Sequence, residues 1–192
     1  MNISNIISKI HTLILIPIAI IITVLFKILH IIHFFKFITI GLIISLIPGK
    51  LGMLIRRYWY KFSLEKCGKN LFVDFGGTIN YKESEIGDNV FIGLYSEIGL
   101  AKIGNDVLIS SHVLIGGSKN AHGIKKDKLM RLQEGKNTKI VIGNDVWFGM
   151  NAIAFEDVNN GTIVGANSLV NKKFQEYSII AGTSARVIGK RR

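Results

Sequence analysis

Two regimes of hydrophobicity divide this chain. From Ile10 to residue 48 apolar side chains run almost without interruption, through TLILIPIAIIITVLF, ILHIIHFF and FITIGLIISLIP, with charge only at Lys27 and Lys36. A bilayer-spanning helix needs about 20 apolar residues, and residues 12–35 supply them if Lys27 snorkels and His30 and His33 stay neutral. Two shorter helices, paired in a hairpin or lying in the interface, fit the pattern equally. A cleaved signal peptide is disfavoured, because the stretch is too long and no small-x-small cleavage site follows it. Residues 51–66 then change character: Leu51, Leu54, Ile55, Tyr58 and Phe62 recur at helical spacing beside Arg56, Arg57 and Lys61. With Trp59, Tyr58 and Tyr60 next to these cations, the segment reads as an amphipathic helix at a cytoplasmic membrane boundary. The plainer alternative is a helix packed on the domain that follows.

From about Phe75 the period becomes six. Ile86-Gly87-Asp88-Asn89-Val90-Phe91 is followed by units opening at Ile92, Ile98, Ile103, Ile109 and Ile115, and the beat returns at Ile142, Phe148, Ala154 and Val164. Each unit has an aliphatic first residue, usually a glycine second and a small or β-branched fifth, so two inward side chains recur on every short strand. Turns fall on Gly, Asn and Asp. Such strands bury a core only by stacking, which predicts a solenoid with function on its loops and outer faces.

Composition sharpens this picture. An apolar share of 48%, with 20 glycines against 2 prolines, favours a β-rich folded domain. The net charge of +11 is concentrated at the front, where residues 1–66 hold eight Lys/Arg against the single acid Glu65. The remainder is only mildly basic and has no aromatic-interleaved basic stripe, so a nucleic-acid partner is excluded in favour of a membrane surface, met through residues 1–66. The lone Cys67 permits no internal disulfide, suits a reducing compartment and reads as a bystander.

Three stretches carry a family resemblance: IGNDVLISSHVLIGGSKNAHGI at 103–124, IVIGNDVWFGMNAIAFEDV at 140–158 and YSIIAGTSARVIGKR at 177–191. With the hexads they resemble the hexapeptide-repeat acyltransferases, nearest to the sugar O-acetyltransferases of surface polysaccharide synthesis. The resemblance implies an all-β, left-handed parallel β-helix over residues 67–192, preceded by hydrophobic membrane-associated helices over 1–66, and a homotrimer. It implies transfer of an acetyl group from acetyl-CoA to a hydroxyl of a sugar or glycan acceptor, with no metal. Its general base falls on His122, in Asn120-Ala121-His122-Gly123, with His112 as runner-up because it occupies the outward fourth place of its hexad. The chemistry needs such a group: a sugar hydroxyl is a weak nucleophile, and imidazole titrates near neutrality. Backbone amides beside Gly116, Gly117 and Gly123 would stabilise the oxyanion. Taken in isolation, His122 would be read as a solvated loop histidine.

The same resemblance implies a pantetheine groove along Trp147, Gly165, Ala166, Ser168, Ala181 and Gly182, with Arg186 and Lys190, and also Arg191 and Arg192, toward the CoA phosphates. Residues 116–139 interrupt the beat with a cation-rich loop of functional length, containing Gln133, that would project toward an adjoining subunit. Thr183-Ser184-Ala185 replaces the usual Asn-Pro-Ala turn, leaving chain direction there less constrained. The span from Val158 to Val164 reads as about two residues short, with Glu156-Asp157 in place of Pro-Gly.

Two rival classes remain. A catalytically idle, membrane-tethered β-helix scaffold would need neither His122 nor the long loop. A γ-type carbonic anhydrase on this fold needs three zinc-binding histidines, whereas the repeat region holds only His112 and His122. Because acetyl-CoA is cytoplasmic and the Lys/Arg excess follows the apolar run, the expected location is the inner membrane of a bacterium, with the catalytic domain in the cytoplasm.

Overall fold

The computed structural model describes residues 3–116 and 122–192, with side chains from residue 10. Three helices, α1 (Ile3–Ile31), α2 (Phe37–Ser45) and α3 (Gly49–Ser63), precede a parallel β-solenoid. Its coils lay strands on three faces. The first face carries Lys66–Cys67, Glu85–Ile86, Ala101–Ile103 and Ile140–Ile142. The second carries Phe72–Val73, Phe91–Ile92, Leu108–Ile109, Trp147–Phe148, Ile163–Val164 and Ser178–Ala181, and the third Thr78–Ile79, Glu97–Ile98, Leu114–Ile115, Ile153–Ala154 and Leu169–Val170. All pairings are parallel except the last, where Arg186–Lys190 returns antiparallel along Ser178–Ala181.

In-register stacking turns the sequence beat into columns. Val73, Ile92, Ile109, Phe148, Val164 and Ile180 form one buried column on the second face. The fifth-place residues Val90, Val107, Val113, Val146 and Ala152 are equally buried, so both inward positions of the hexad are filled. Full hexads turn on one residue in the left-handed region, their fourth: Asn89, Tyr95, Asp106, His112, Asp145, Asn151 and Asn167 all have φ between 53° and 58°. Asn and Asp tolerate that conformation best. The neighbouring third-place asparagines tie coil to coil, Asn105 Oδ1 accepting from Asp88 N and Asn144 Oδ1 from Asn105 N, each at 2.7 Å.

The solenoid starts earlier than the legible beat. A first coil runs from Lys66 to Ile79, hidden in sequence because Cys67 opens it and Gly76-Gly77 interrupts it. Gly76 (φ 74°) leaves the space that the Tyr95 ring fills, since a Cβ there would lie 2.3 Å from Tyr95 Cδ1. The shortened coil is also displaced from where the sequence put it. Val158 to Val164 is a full six-residue step, whereas inward Val158 follows inward Ala154 after a step of only four, and the first-face strand shrinks there to the single bridge Ile142–Val158.

The helical end also departs from expectation. The apolar run is not one helix to residue 35, because α1 ends at Ile31 and His33 (φ 59°) turns the chain into α2. Ile10–Ile31 is long and apolar enough to cross a membrane, about 33 Å at helical rise. Its inner stripe, Leu15, Ala19, Ile22 and Phe26, packs on the other helices, while Ile14, Ile18, Ile21, Leu25 and Ile28 are exposed. α3 packs on the domain that follows, with Trp59, Tyr60 and Arg56 buried and Tyr58, Arg57, Lys61 and Phe62 left partly or fully exposed. Its polar groups cap the open edge of the first coil, which would otherwise leave backbone groups unpaired. Arg57 Nε donates to Leu71 O at 2.7 Å, Tyr60 Oη accepts from Ile79 N at 3.0 Å, and Lys61 Nζ donates to Cys67 O.

Candidate functional site

An open groove of about 470 Å³ runs up the second face and its corner with the third. Register sets Trp147 between Leu108 below and Ile163 above, and its side chain, half exposed, points outward because it follows an inward fifth-place valine. Trp147 Nε1 donates to Ser110 Oγ at 3.4 Å. Gly165 and Ala166 form the upper wall; Asp74, Ser111 and Met150 complete it. Small size is a packing requirement here, since a Cβ at Gly165 would sit 2.9 Å from Ala181 Cβ and one at Gly149 2.6 Å from Ala166 N. Among the expected cofactor residues, Trp147, Gly165 and Ala166 are thus brought together.

Ser168 is not part of that wall. As a fifth-place residue it faces the core, buried, donating to Ala166 O and accepting from Gly182 N at 3.1 Å. Its small size resembles that of a groove residue, but its hexad position turns it inward. Gly182 is exposed and Ala181 half-buried at the top of the same face. Arg186 and Lys190 lie on the outer strand of the terminal hairpin, Lys190 Nζ donating to Gln175 Oε1 at 3.4 Å. Arg191 is engaged by the Asp145 carboxylate at 2.8 Å. The turn expected to be loose is held: Ala185 is buried and donates to Leu169 O at 2.8 Å, and Asn171 Nδ2 donates to Ser184 Oγ at 2.7 Å.

His112 points outward from its corner, as its hexad position requires, and stacks on Tyr95 one coil below, with ring centroids 5.4 Å apart and 15° between planes. His122 is exposed on the long loop, while Gly117, Asn120 and Ala121 lie outside the described residues. Gly123, beside His122, allows a close approach to Gln133, whose Oε1 a Cβ would meet at 2.7 Å. Gln133 is buried and staples the loop: it accepts from Lys125 N at 2.8 Å and donates to Lys125 O and Lys128 O at 2.9 and 2.7 Å. Around this staple Ile124, Leu129, Met130 and Leu132 are exposed, an apolar tip that favours contact with another surface. The loop's return is fixed by Lys139, paired with Glu85 at 3.1 Å and Glu65 at 3.6 Å.

Burial pushes the Cys67 thiol up to about 11, which keeps it protonated and unreactive at neutral pH. Among the described residues no His, Cys, Asp and Glu side chains gather as a metal site. Ser110, Ser111 and Asp74 were missed as groove residues because their signal is register between coils, which one linear hexad does not display.

No protein-family profile matches the chain. WbbJ of Escherichia coli (strain K12), whose name assigns it to lipopolysaccharide biosynthesis O-acetyl transfer, is 34% identical over 116 residues, covering 54% of this chain and 58% of that protein. The chain spans about half the length of this and another curated relative, the galactoside O-acetyltransferase of the same strain. Among solved structures, the maltose O-acetyltransferase of Clostridium difficile 630 superposes with a TM-score of 0.72 at 20% identity, over 82% of this chain and 86% of that one. The hexapeptide-repeat acetyltransferase VCA0836 of Vibrio cholerae O1 biovar eltor, solved with acetyl coenzyme A, gives 0.66 at 23% identity over 80% and 86%. The fold is that of the left-handed β-helix acyltransferases. In sequence the chain is similar to O-acetyltransferases over part of their length, and in fold it is similar to hexapeptide-repeat acetyltransferases.

Proposed function

We propose that the chain is an acetyl-CoA-dependent O-acetyltransferase that modifies a sugar hydroxyl in surface polysaccharide or lipid-linked glycan synthesis. The observation that carries this reading is the small-residue groove under Trp147, supported by a stapled loop that presents His122. The groove suits an extended pantetheine arm, with Ala181 and Gly182 continuing it and Arg186 and Lys190 toward the phosphates. His122 acts as general base: a neutral ring nitrogen takes the hydroxyl proton as oxygen attacks the thioester carbonyl. The tetrahedral oxyanion collapses, expelling the CoA thiolate, which takes the proton from the imidazolium. Acetyl ester and free CoA leave, and the base is restored. His112, already committed to the Tyr95 stack, is the alternative base.

A homotrimer is supported by the exposed apolar ladder of Phe91, Leu108 and Trp147 on the second face and by the apolar loop tip. Contact of residues 1–66 with the cytoplasmic side of a bacterial inner membrane is supported by the exposed faces of α1 and α2 and by the cationic excess that follows them. Thiol release from acetyl-CoA, measured with a panel of polysaccharide precursors, tests the activity. Acceptor-dependent release that drops by roughly 10²-fold or more in His122→Ala upholds the assignment. Release unchanged in that variant moves the base to His112, and no CoA binding at all leaves the idle scaffold.

A further inference from the structure

A second groove, on the opposite corner from the Trp147 site, joins the helical end to the root of the long loop. It consists of two adjoining cavities of about 460 and 490 Å³ that share Ile38, Asn80 and Tyr81 in their walls. The lower cavity lies in the elbow between α1 and α2, where His33, Lys36 and Lys82 line it together with Glu83. His30 also lines it, with Nδ1 3.1 Å from Phe35 O. The upper cavity is walled by Glu97, Phe155 and Asn137 and ends at Gly116, where the loop that bears His122 begins.

The two halves differ in chemistry. In the lower one the cations outnumber the single acid Glu83, and Lys82 is held in place because its carbonyl accepts from Glu65 N at 2.7 Å. In the upper one polar groups are already paired into a rigid wall: Asn80 Nδ2 donates to Glu97 Oε1 at 2.7 Å and Asn137 Nδ2 to Tyr81 Oη at 2.9 Å. Tyr81 and Phe155 add ring faces between them, the mixture that sugar rings stack on and hydrogen-bond to. Just before the elbow the exposed apolar stripe of α1 ends at Ile31, Ile32 and Phe34. Lys36 follows within two residues of Phe34. An apolar surface terminated by cations meets a bilayer at its phosphate layer.

We infer that the elbow cavity binds the diphosphate of a lipid-anchored glycan, with Lys36, Lys82 and His33 as its ligands and the glycan laid along the upper groove toward Gly116. This rests on the sugar O-acetyltransferase reading and adds the form of the acceptor: it is membrane-held, its lipid beside α1 and α2, its sugar directed to the loop. Lysine and histidine donors give charge-assisted hydrogen bonds to phosphate oxygens, and Glu83 on the same rim disfavours insertion deeper than the headgroup.

The full chain in nanodiscs of neutral phosphatidylcholine, with and without polyprenyl diphosphate, tests this by equilibrium binding. The lipid diphosphate binds saturably, and Lys36→Gln combined with Lys82→Gln weakens it by roughly tenfold or more, the size of lost charge-assisted hydrogen bonds. Both lysines are exposed, so the melting temperature and CoA binding of that variant match the parent. Equal binding by parent and variant overturns the proposal, as does equal competition by a soluble nucleoside diphosphate or by phosphatidylglycerol, which would make the cavity a nucleotide or general headgroup site. A chain that binds lipid diphosphate but not CoA upholds this site and sinks the transferase reading. Binding of CoA without lipid diphosphate does the reverse.

Discussion

Arg56 Nε donates to the carbonyl of Val73 at 2.9 Å, joining the middle of α3 to the inward column of the first coil. The same guanidinium spends Nη1 on Ile44 O at 3.0 Å and Ile47 O at 2.8 Å, where α2 ends. One buried cation therefore satisfies the open end of the solenoid and the end of a neighbouring helix. Desolvation lowers its pKa, with Tyr60 and Asp74 opposing that shift, and arginine's high intrinsic value keeps it charged. Arg56→Met keeps the volume and strands these carbonyls, and should cost roughly 2–4 kcal/mol. Chemical denaturation of the detergent-solubilised protein would measure it; a loss under about 0.5 kcal/mol would remove the capping role.

Phe148 is the largest side chain of the buried second-face column, standing between Ile109 and Val164. Truncation to alanine leaves a void that backbone hydrogen bonds above and below prevent from closing, at a cost of about 3–5 kcal/mol. Because coils contact only their neighbours, hydrogen exchange should rise first at residues 108–109 and 163–164. Uniform loosening of all coils would contradict that locality.

The hexad was legible from Ile86 onward because one periodic rule dictates both inward positions and the left-handed corner, so Asn89, Asp106 and Asn167 announce the coils themselves. The first coil was not, since Gly76 makes room for the Tyr95 ring instead of keeping the repeat. Trp147, Gly165 and Ala166 were legible as groove residues, but Ser168 shows that residue size misleads where the fifth place faces inward. Least legible was α3. A helical period separates an apolar from a polar face, yet it does not say that Arg56 and Tyr60 cap strand edges, because those edges arise from residues 71–79, outside the helix.

Gly165 offers a test of the groove that leaves the general base untouched. Its backbone is outside the left-handed region, so a side chain is tolerable in conformation but must displace Ala181, 2.9 Å away. Gly165→Leu should fill the channel under Trp147 and raise the KM for acetyl-CoA by roughly tenfold or more with the acceptor KM unchanged, since binding of one substrate alone is obstructed. Steady-state kinetics with each substrate varied in turn would show it. An unaltered donor KM would move the pantetheine arm elsewhere.

The Glu85–Lys139 pair gives the loop's anchor a pH signature. The hydrogen bond from Lys139, aided by the charge of Lys102 and opposed by burial, holds the Glu85 carboxyl below the usual carboxylate range. Lys139 is raised for the reciprocal reason, with Glu65 adding to it. A depressed carboxylate stabilises the folded chain above its unfolded value of about 4.3 and loses that contribution as pH falls through the folded value. A raised lysine contributes below its unfolded value of about 10.4 and loses it as pH climbs past that. The pair is therefore fully effective at neutral pH and fails first in acid. Lys139→Met should lower stability at pH 7 by up to about 1 kcal/mol, the scale of a part-exposed ion pair, and the difference from the parent should shrink progressively as the solution is acidified below the ordinary carboxylate range. Denaturation midpoints of both proteins across that range would measure it, and a difference that persisted undiminished in acid would mean that the lysine's methylenes, rather than its charge, hold the loop's return to the first face.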